Sequence, residues 1–308
     1  MNSLPARRGV STAPYRSIYG RVPAQRFCLP RPWLLALLTL TALRWLVASI
    51  APPVPDEAYY WLWSEVPQAS YYDHPAMVAV FIRIGTLIAG PTPLGIRLLG
   101  PAAMATMTLL LADSAHQLQG SAPGRQRVGL WTALLFNATL MAGVGGILAT
   151  PDLPQLLFWS FTLWALARLE SSQRGVWWLA IGLGCGLTVL SKYTGVLLIF
   201  GIILWLISSP KARHWWRHPQ LFAGAALTVA STLPILIWNG QNNFVSVIKQ
   251  GGRLGDGGGI AWRYLGELLG SQVGLATPLV FVLCVVGTWG AWRAWRHQHD
   301  SAAALLCC

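Results

Sequence analysis

Long apolar runs, separated by short polar stretches, make up most of the 308-residue chain. Four of these runs contain a single charged residue between them, Arg44, and they cover residues 33–51, 128–149, 221–238 and 273–292. Because a helix needs roughly 20 consecutive apolar residues to cross a bilayer, each run predicts a transmembrane helix. Four shorter runs cover residues 98–112, 153–167, 176–190 and 193–209. With these included, the pattern predicts about eight transmembrane helices.

The composition supports that interpretation. Hydrophobic residues form 54% of the chain and Asp, Glu, Lys and Arg only 10%, whereas an ordinary soluble domain has about 25% charged residues. A chain with so few charged residues has no soluble domain in which the shorter apolar runs could be buried, so these runs are also expected to lie in the membrane. The predicted fold class is an all-α polytopic membrane protein. Small residues recur in the segment GLGCGL at 182–187, which predicts close packing of that run against a neighbouring helix.

The formal net charge of +12 would suggest a nucleic-acid partner in a soluble protein. Threading eight spans instead places the basic clusters on one side of the membrane. These clusters are six arginines before the first span, Arg125 with Arg127, Arg168 with Arg174, Lys211 with Arg213 and Arg217, and Arg293 with Arg296. Because the positive-inside rule makes that side cytoplasmic, we predict a cytoplasmic N-terminus and no nucleic-acid partner.

The same threading divides the chain into a cytoplasmic Arg-rich tail at 1–32, a membrane domain at 33–292 and a second cytoplasmic tail at 293–308. Within the membrane domain, residues 52–96 form the first extracytoplasmic loop. The apolar stretch 75–90 of this loop is too short for a span and is flanked by prolines. These features favour an amphipathic helix that lies at the membrane interface.

The ionisable residues outside the cytoplasmic clusters are few. At membrane depth each costs about 2.5–3.5 kcal/mol on the insertion scale, so each needs a partner or a function. The topology brings six of them from distant positions to the outer surface: Asp56, Asp73, His74, Arg97, Asp152 and Lys192. A carboxylate there can act as a general base on a hydroxyl, and cations can hold a phosphate. This set suits transfer of a group from a lipid phosphate; the alternative is a network of ion pairs that holds short helices together.

Five segments, in this order, resemble one family. They are PDEAYYWLWS from residue 55, SYYDHPAMVAVFIRIGTLIAGPTPLGIRLLG from 70, TPDLPQLLFWSFTLWALARL from 150, GLTVLSKYTGVLLIFG from 186 and PILIWNGQNNFVS from 234. Over about residues 33–292 the chain resembles the membrane glycosyltransferases of family 39, which include protein O-mannosyltransferases and aminoarabinose lipid A transferases.

The resemblance implies a GT-C type glycosyltransferase fold with amphipathic helices in the first outer loop. It also implies transfer of a sugar, with inversion, from a polyprenyl-phosphate donor held among membrane lipids. The acceptor is then a hydroxyl or phosphate of a glycolipid, glycan or protein. Such an enzyme is expected to be a multi-pass protein of the inner cell membrane with its active site facing the periplasm or exterior.

Specific roles follow from the resemblance for the first outer loop and the second span. Asp56 matches the family's catalytic aspartate, which is expected to deprotonate or orient the acceptor, and Glu57 matches its acidic neighbour. Arg97 is expected to contact the donor phosphate. His74 is expected to donate to the same phosphate, and Asp73 is expected to be a metal ligand that shares a divalent ion with Asp56.

Three further residues complete the expected site. Lys192 and Tyr193 match a hairpin tip and are expected to support the donor phosphate, and Asp152 matches a Thr-Pro-Asp turn beside them. Relatives usually continue beyond the last apolar run, so the resemblance also allows an inactive or split fragment, or a partner chain that supplies missing helices. A lipid-carrier binding or transport protein is the alternative from another class, although the sequence lacks the inverted repeat typical of secondary transporters.

Overall fold

The computed structural model describes residues 27–120, 123–255 and 262–308, so most of the predicted tail at 1–32 lies outside the described residues. This part of the chain is built from α-helices with short turns. Their bounds are α1 Arg31–Ile50, α2 Pro55–Glu65, α3 Met77–Ala89, α4 Pro93–Arg97, α5 Leu99–Leu118, α6 Arg125–Asn137, α7 Leu140–Gly143, α8 Asp152–Ser172, α9 Trp177–Ser191, α10 Val196–Ser208, α11 Pro219–Gln241, α12 Val245–Gly255, α13 Trp262–Ala276, α14 Pro278–Gln298 and α15 Ser301–Cys307. Two 3-10 turns, Tyr193–Gly195 and Arg213–Arg217, precede α10 and α11.

Four helices in the described residues are long and apolar enough to cross a membrane: Arg31–Ile50, Pro93–Leu118, Pro219–Gln241 and Pro278–Gln298. Three of them coincide with predicted long runs, although the last begins only at Pro278. Thr277, with φ of 64°, separates it from α13. The remaining helix, Pro93–Leu118, extends one of the predicted shorter runs in both directions.

The prediction of a single span at 128–149 is wrong, because α6 ends at Asn137. The Asn137 side chain turns towards neighbouring helices, where its amide donates to Thr108 Oγ1 at 2.9 Å and its oxygen accepts from Arg44 Nη2 at 3.1 Å. Thr139 then caps the next short helix through its hydroxyl oxygen. The Thr139 hydroxyl bonds to the backbone of Phe136 and Ala142, and such local bonds compete with a continuous helical ladder in a way that hydropathy alone does not register.

The first outer loop is helical, as expected for residues 52–96. Helix α3 buries Val78, Ala79 and Ile82 against its neighbours, while Leu87 and Ile88 on the same helix stay about 70% exposed. A helix with one packed face and one exposed apolar face fits the predicted amphipathic helix at 75–90. Together with α2 and α4, it forms a layer over one end of the helix bundle.

The helix ends that carry basic residues meet at the opposite end of the bundle. There Arg168, near the end of α8, pairs with Asp113 of α5 at 2.6 Å. Trp215, between α10 and α11, and Trp295, near the end of α14, belong to one hydrophobic cluster. The predicted tail at 293–308 also packs here, because α15 turns back on the bundle and the Ser301 carbonyl accepts from Trp205 Nε1 at 3.1 Å.

Helix α9 lies against α11 with almost no space between the two backbones. A Cβ on Gly182 would lie 2.1 Å from the Gly224 carbonyl oxygen, and one on Gly224 would lie 2.3 Å from the Trp178 carbonyl oxygen. Small residues allow this approach, as predicted for the GLGCGL segment. The close contact fixes α11, whose far end reaches the candidate site.

We expect Gly182→Ala to destabilise the fold by about 1–3 kcal/mol, because the new methyl group would overlap backbone that cannot rotate away. Gly287→Ala in α14 is the matched control, since nothing lies within 4 Å of a Cβ there. Thermal unfolding in detergent, followed by tryptophan fluorescence, would compare the two variants. Equal midpoints would contradict the tight α9–α11 contact.

Candidate functional site

The site lies under the layer formed by the first outer loop, where segments distant in sequence meet. Ser70 belongs to this loop, and its Oγ lies 3.3 Å from the hydroxyl oxygen of Tyr193. Tyr193 begins the 3-10 turn before α10. Gln68 accepts from Trp238 Nε1 of α11 at 2.8 Å. The structure therefore brings the first outer loop, the Lys192–Tyr193 tip and the end of α11 together.

Glu57 is fully buried at the start of α2 and holds three segments together. Its carboxylate accepts from Arg97 Nε at 2.7 Å and Arg97 Nη2 at 2.5 Å. Backbone N–H groups of Val54 and Ala149 donate to the same carboxylate at 3.0 and 2.9 Å. Burial raises the pKa of the Glu57 carboxyl, but the hydrogen bonds from Arg97, Ala149 and Val54 outweigh it and leave the pKa below its ordinary value.

Arg97 is also fully committed to contacts within the chain. Besides its two bonds to Glu57, its guanidinium donates to the carbonyl oxygens of Ala48 at 3.3 Å, Ala51 at 2.7 Å and Pro52 at 2.9 Å. A guanidinium has five N–H donors, and these five bonds use all of them. As the structure stands, Arg97 offers no donor to the phosphate that the sequence expectation assigned to it.

Asp56 contrasts with its neighbour Glu57. Its side chain is exposed, and no hydrogen bond or ion pair joins it to any residue in the described part of the chain. It lies in the first turn of α2, where the helix dipole stabilises a negative charge. The Glu57–Arg97 pair fixes this turn, so Asp56 presents a carboxylate that is unpaired among the described residues from a well-anchored helix start.

Tyr60 lies within electrostatic range of three aspartates of the site. Burial, followed by the charges of Asp56, Asp73 and Asp152, raises the pKa of the Tyr60 hydroxyl to about 12. The three carboxylates thus act on one phenol, although they come from three separate segments. A hydroxyl with so high a pKa stays protonated at neutral pH and can donate a hydrogen bond.

Asp73 is tied to α2 and α12 by its side chain. Its carboxylate accepts from the Tyr59 hydroxyl at 2.9 Å and lies 3.1 Å from Lys249 Nζ. Burial raises the pKa of the Asp73 carboxyl. The hydrogen bonds from Tyr59 and Lys249 and the charges of Lys249 and His74 outweigh burial and leave the pKa below its ordinary value. His74 lies beside Tyr60, with ring centroids 6.2 Å apart.

Lys192 pairs with Asp152 at 2.7 Å, and both side chains remain partly exposed. This pair joins the end of α9 to the start of α8. Next to it, the Tyr193 hydroxyl lies 3.3 Å from Asn239 Nδ2 of α11. Lys192, Tyr193 and Asp152 therefore form one cluster, as the topology suggested.

Two lysines of the site keep hydrogen-bonding capacity for a ligand. An ammonium has three N–H donors; within the described residues, Lys192 uses one on Asp152 and Lys249 one on Asp73. The sequence analysis did not assign Lys249 to the site, because the sequence shows only that this lysine is a charged residue outside the predicted spans. Tyr59, Tyr60 and Asn239 were not assigned to the site for a similar reason, because in the sequence they look like ordinary polar or aromatic residues near helix ends.

The expected metal site at Asp56 and Asp73 stays a prediction. Among the residues that the structure describes, no three His, Cys, Asp or Glu side chains are placed to hold a metal ion. The Lys249 ammonium also occupies the position beside Asp73 Oδ1 that a cation would take. The donor set therefore fits a metal poorly.

Comparison with known proteins gives a consistent result. Residues 73–238 match the family described as dolichyl-phosphate-mannose-protein mannosyltransferase. The lipid A galacturonosyltransferase RgtD of Rhizobium johnstonii is 28% identical over 285 residues, covering 90% of this chain and 57% of that protein. The undecaprenyl phosphate-alpha-4-amino-4-deoxy-L-arabinose arabinosyl transferase 2 of Pseudomonas fluorescens is 26% identical over 58% of this chain and 34% of its own length.

Solved structures share the fold. ArnT from Cupriavidus metallidurans, crystallised in the apo state and bound to undecaprenyl phosphate, superposes with a TM-score of 0.64 at 17% identity, over 90% of this chain and 53% of ArnT. The Pmt1-Pmt2 complex of S. cerevisiae, bound to its sugar donor, gives 0.50 at 15% identity, over 70% of this chain and 33% of the matched chain. These matches confirm the predicted GT-C fold. The chain spans about half the length of the ArnT and RgtD proteins it matches.

Proposed function

The chain belongs to the dolichyl-phosphate-mannose-protein mannosyltransferase family, and from that premise we propose that it transfers a sugar from a polyprenyl-phosphate donor to an acceptor on a glycolipid, glycan or protein. The chain is a membrane protein of the glycosyltransferase type, with four helices suited to crossing a bilayer. One ArnT structure was solved with undecaprenyl phosphate, which supports a donor of that class.

The observation that carries the proposal is the contrast between Asp56 and Glu57. Two adjacent carboxylates lie at the start of α2, one fully satisfied in the interior and one exposed without a partner among the described residues. A general base must reach its substrate, so only the exposed carboxylate suits that role. Glu57 and Arg97 then act as positioning residues that hold the first turn of α2 in place.

In the proposed reaction, the acceptor O–H gives its proton to Asp56 as its oxygen attacks the anomeric carbon of the donor sugar. The bond between that carbon and the phosphate oxygen breaks, and the electron pair leaves with the polyprenyl phosphate. Attack from the face opposite the phosphate inverts the anomeric configuration. Lys192 neutralises the charge that develops on the leaving phosphate, with Tyr193 and His74 as further hydrogen-bonding groups.

The donor sugar and the acceptor are proposed from the similarity to RgtD, which covers 90% of this chain. A relative described as a lipid A galacturonosyltransferase supports a uronic acid as the sugar and lipid A as the acceptor. A sugar of this class carries a carboxylate, so the donor would have two anionic groups. The same similarity covers only part of RgtD, and a partner chain that supplies further helices is part of the proposal.

The proposed location is the inner membrane, with the site on the periplasmic face and the N-terminus in the cytoplasm. The distribution of charge supports this orientation. Basic clusters lie at the end of the bundle that holds Arg168 and Trp215, whereas the exposed Asp56 and the paired Asp73 and Asp152 lie at the other end. An excess of Lys and Arg is typical of cytoplasmic loops.

We expect Lys192→Gln to weaken binding of a polyprenyl-phosphate sugar about 10- to 100-fold, because a charge-assisted hydrogen bond to phosphate is lost. The fold should persist, since both members of the Lys192–Asp152 pair are partly exposed and such pairs add little stability. Titration of the purified chain in lipid nanodiscs with polyprenyl-phosphate galacturonate would measure the affinity.

Lys211→Gln, an exposed lysine at the opposite end of the bundle, is the control for loss of one positive charge. Unchanged affinity in the Lys192 variant would remove this lysine from the donor site. Binding of the donor by the wild type without any transfer to lipid A would favour the alternative of a carrier-binding protein.

A further inference from the structure

Lys249 is a second cation at the mouth of the site that the proposed chemistry leaves without a role. Its ammonium lies 3.1 Å from Asp73 Oδ1, and Asp73 in turn accepts from Tyr59 of α2. Asp73 also acts electrostatically on Tyr60 together with Asp56. Lys249, which lies on α12, is thus joined through Asp73 to α2, the helix that carries the proposed base.

The position of Lys249 does not depend on its own ion pair. Ser246 Oγ donates to the Tyr71 carbonyl oxygen at 2.8 Å, and Gln250 Nε2 donates to the Asp73 carbonyl oxygen at 2.9 Å. Residues spaced by three and four positions lie on one face of a helix, so these two bonds hold the face of α12 that carries Lys249. The lysine is thus presented to the site by neighbours that carry no charge.

Lys249 is also accessible and has donors to spare. About a third of its side chain is exposed, and its ammonium lies 4.3 Å from the centre of the Tyr72 ring. An aromatic face holds a cation without using its hydrogen-bond donors. With one of three N–H groups on Asp73, the other two have no partner among the described residues and remain for a ligand, in contrast to Arg97, whose donors are all used.

We infer that Lys249 is a specificity-determining residue that binds the carboxylate of a uronic acid on the donor lipid. This inference rests on the proposed function and deepens it. A polyprenyl-phosphate uronate has two anionic groups, the phosphate and the sugar carboxylate, and the described part of the site has two lysines with N–H donors left over. Lys192 takes the phosphate, so Lys249 is left for the carboxylate, which a neutral hexose lacks.

The test compares binding of polyprenyl-phosphate galacturonate and polyprenyl-phosphate galactose to the chain in nanodiscs, without acceptor. Wild type should bind the uronate more tightly. Lys249→Gln should reduce that preference about 10- to 100-fold, as expected for loss of a hydrogen bond to a charged group, and Lys249→Arg should retain most of it. The galactose lipid should bind the wild type and Lys249→Gln alike.

Ser246→Ala separates recognition from a purely structural contact, because it removes a tie of α12 without changing charge. If Lys249 only held α12 in place, Ser246→Ala and Lys249→Gln would weaken both lipids equally, and the inference would be overturned. Equal binding of the two lipids by the wild type would overturn it as well, while leaving the transferase proposal intact. Failure of the wild type to bind either lipid would instead contradict the proposed function itself.

Discussion

Replacing Asp56 with Asn is expected to lower sugar transfer by about 100- to 10,000-fold while the chain stays folded. The amide keeps the size of the side chain but cannot accept the acceptor's proton, and general base catalysis typically contributes this much. Stability should fall by no more than about 0.3–1 kcal/mol, the contribution of a charge at a helix start, because Asp56 is exposed and has no partner within the described residues. Mass spectrometry of lipid A after incubation with polyprenyl-phosphate galacturonate would measure the transfer.

Glu65→Gln is the matched control for the Asp56 variant. Glu65 lies at the other end of the same helix, and its carboxylate is about half exposed and paired with Arg83. Transfer by this variant should equal that of the wild type. Native mass spectrometry of the Asp56 variant should show the donor lipid retained, because binding precedes the step that is lost. Undiminished transfer by the Asp56 variant would falsify its role as the base.

Hydropathy predicted the spans at 33–51 and 221–238, because a membrane helix is defined mainly by the length of its apolar run. It failed at 128–149, where α6 ends at Asn137, whose side chain bonds to Thr108 and Arg44 of two other helices. The Thr139 hydroxyl then bonds to the backbone of Phe136 and Ala142, in competition with a continuous helical ladder. Hydropathy registers neither the tertiary partners of Asn137 nor this local bonding.

The candidate site, like the spans, was predicted from the sequence only in part. Topology alone brought Asp56, Asp73 and Asp152 to one level, and their joint effect on Tyr60 is consistent with this placement. The role of a cation, however, depends on how many of its donors are already used, which only tertiary structure reveals. Lys249 was not predicted for a related reason, because α12 folds back over the first outer loop through contacts 175 and 177 residues apart in sequence.

Replacing Arg97 with Met is expected to lower the free energy of unfolding by about 3–5 kcal/mol. Removing one partner of a buried ion pair leaves the other charge without compensation, and here Glu57 and three backbone carbonyl oxygens would lose their donor. The side chains of Arg97 and Glu57 are 1% and 0% exposed, so water cannot replace the lost bonds in place. Chemical denaturation in detergent, followed by tryptophan fluorescence, would measure the change.

Arg83→Met provides the control, because the Arg83–Glu65 pair belongs to the same loop layer but is 41% and 48% exposed. Exposed pairs contribute about 0–1 kcal/mol, so this variant should remain close to the wild type. A phosphate-binding role for Arg97 predicts the reverse pattern, namely normal stability with weakened donor binding. If Arg97→Met is as stable as Arg83→Met, Arg97 is not the structural clamp inferred from its five bonds. If it is strongly destabilised, Glu57 and Arg97 support the turn that carries Asp56, and the chemistry of this end of the bundle belongs to the residues that they leave free.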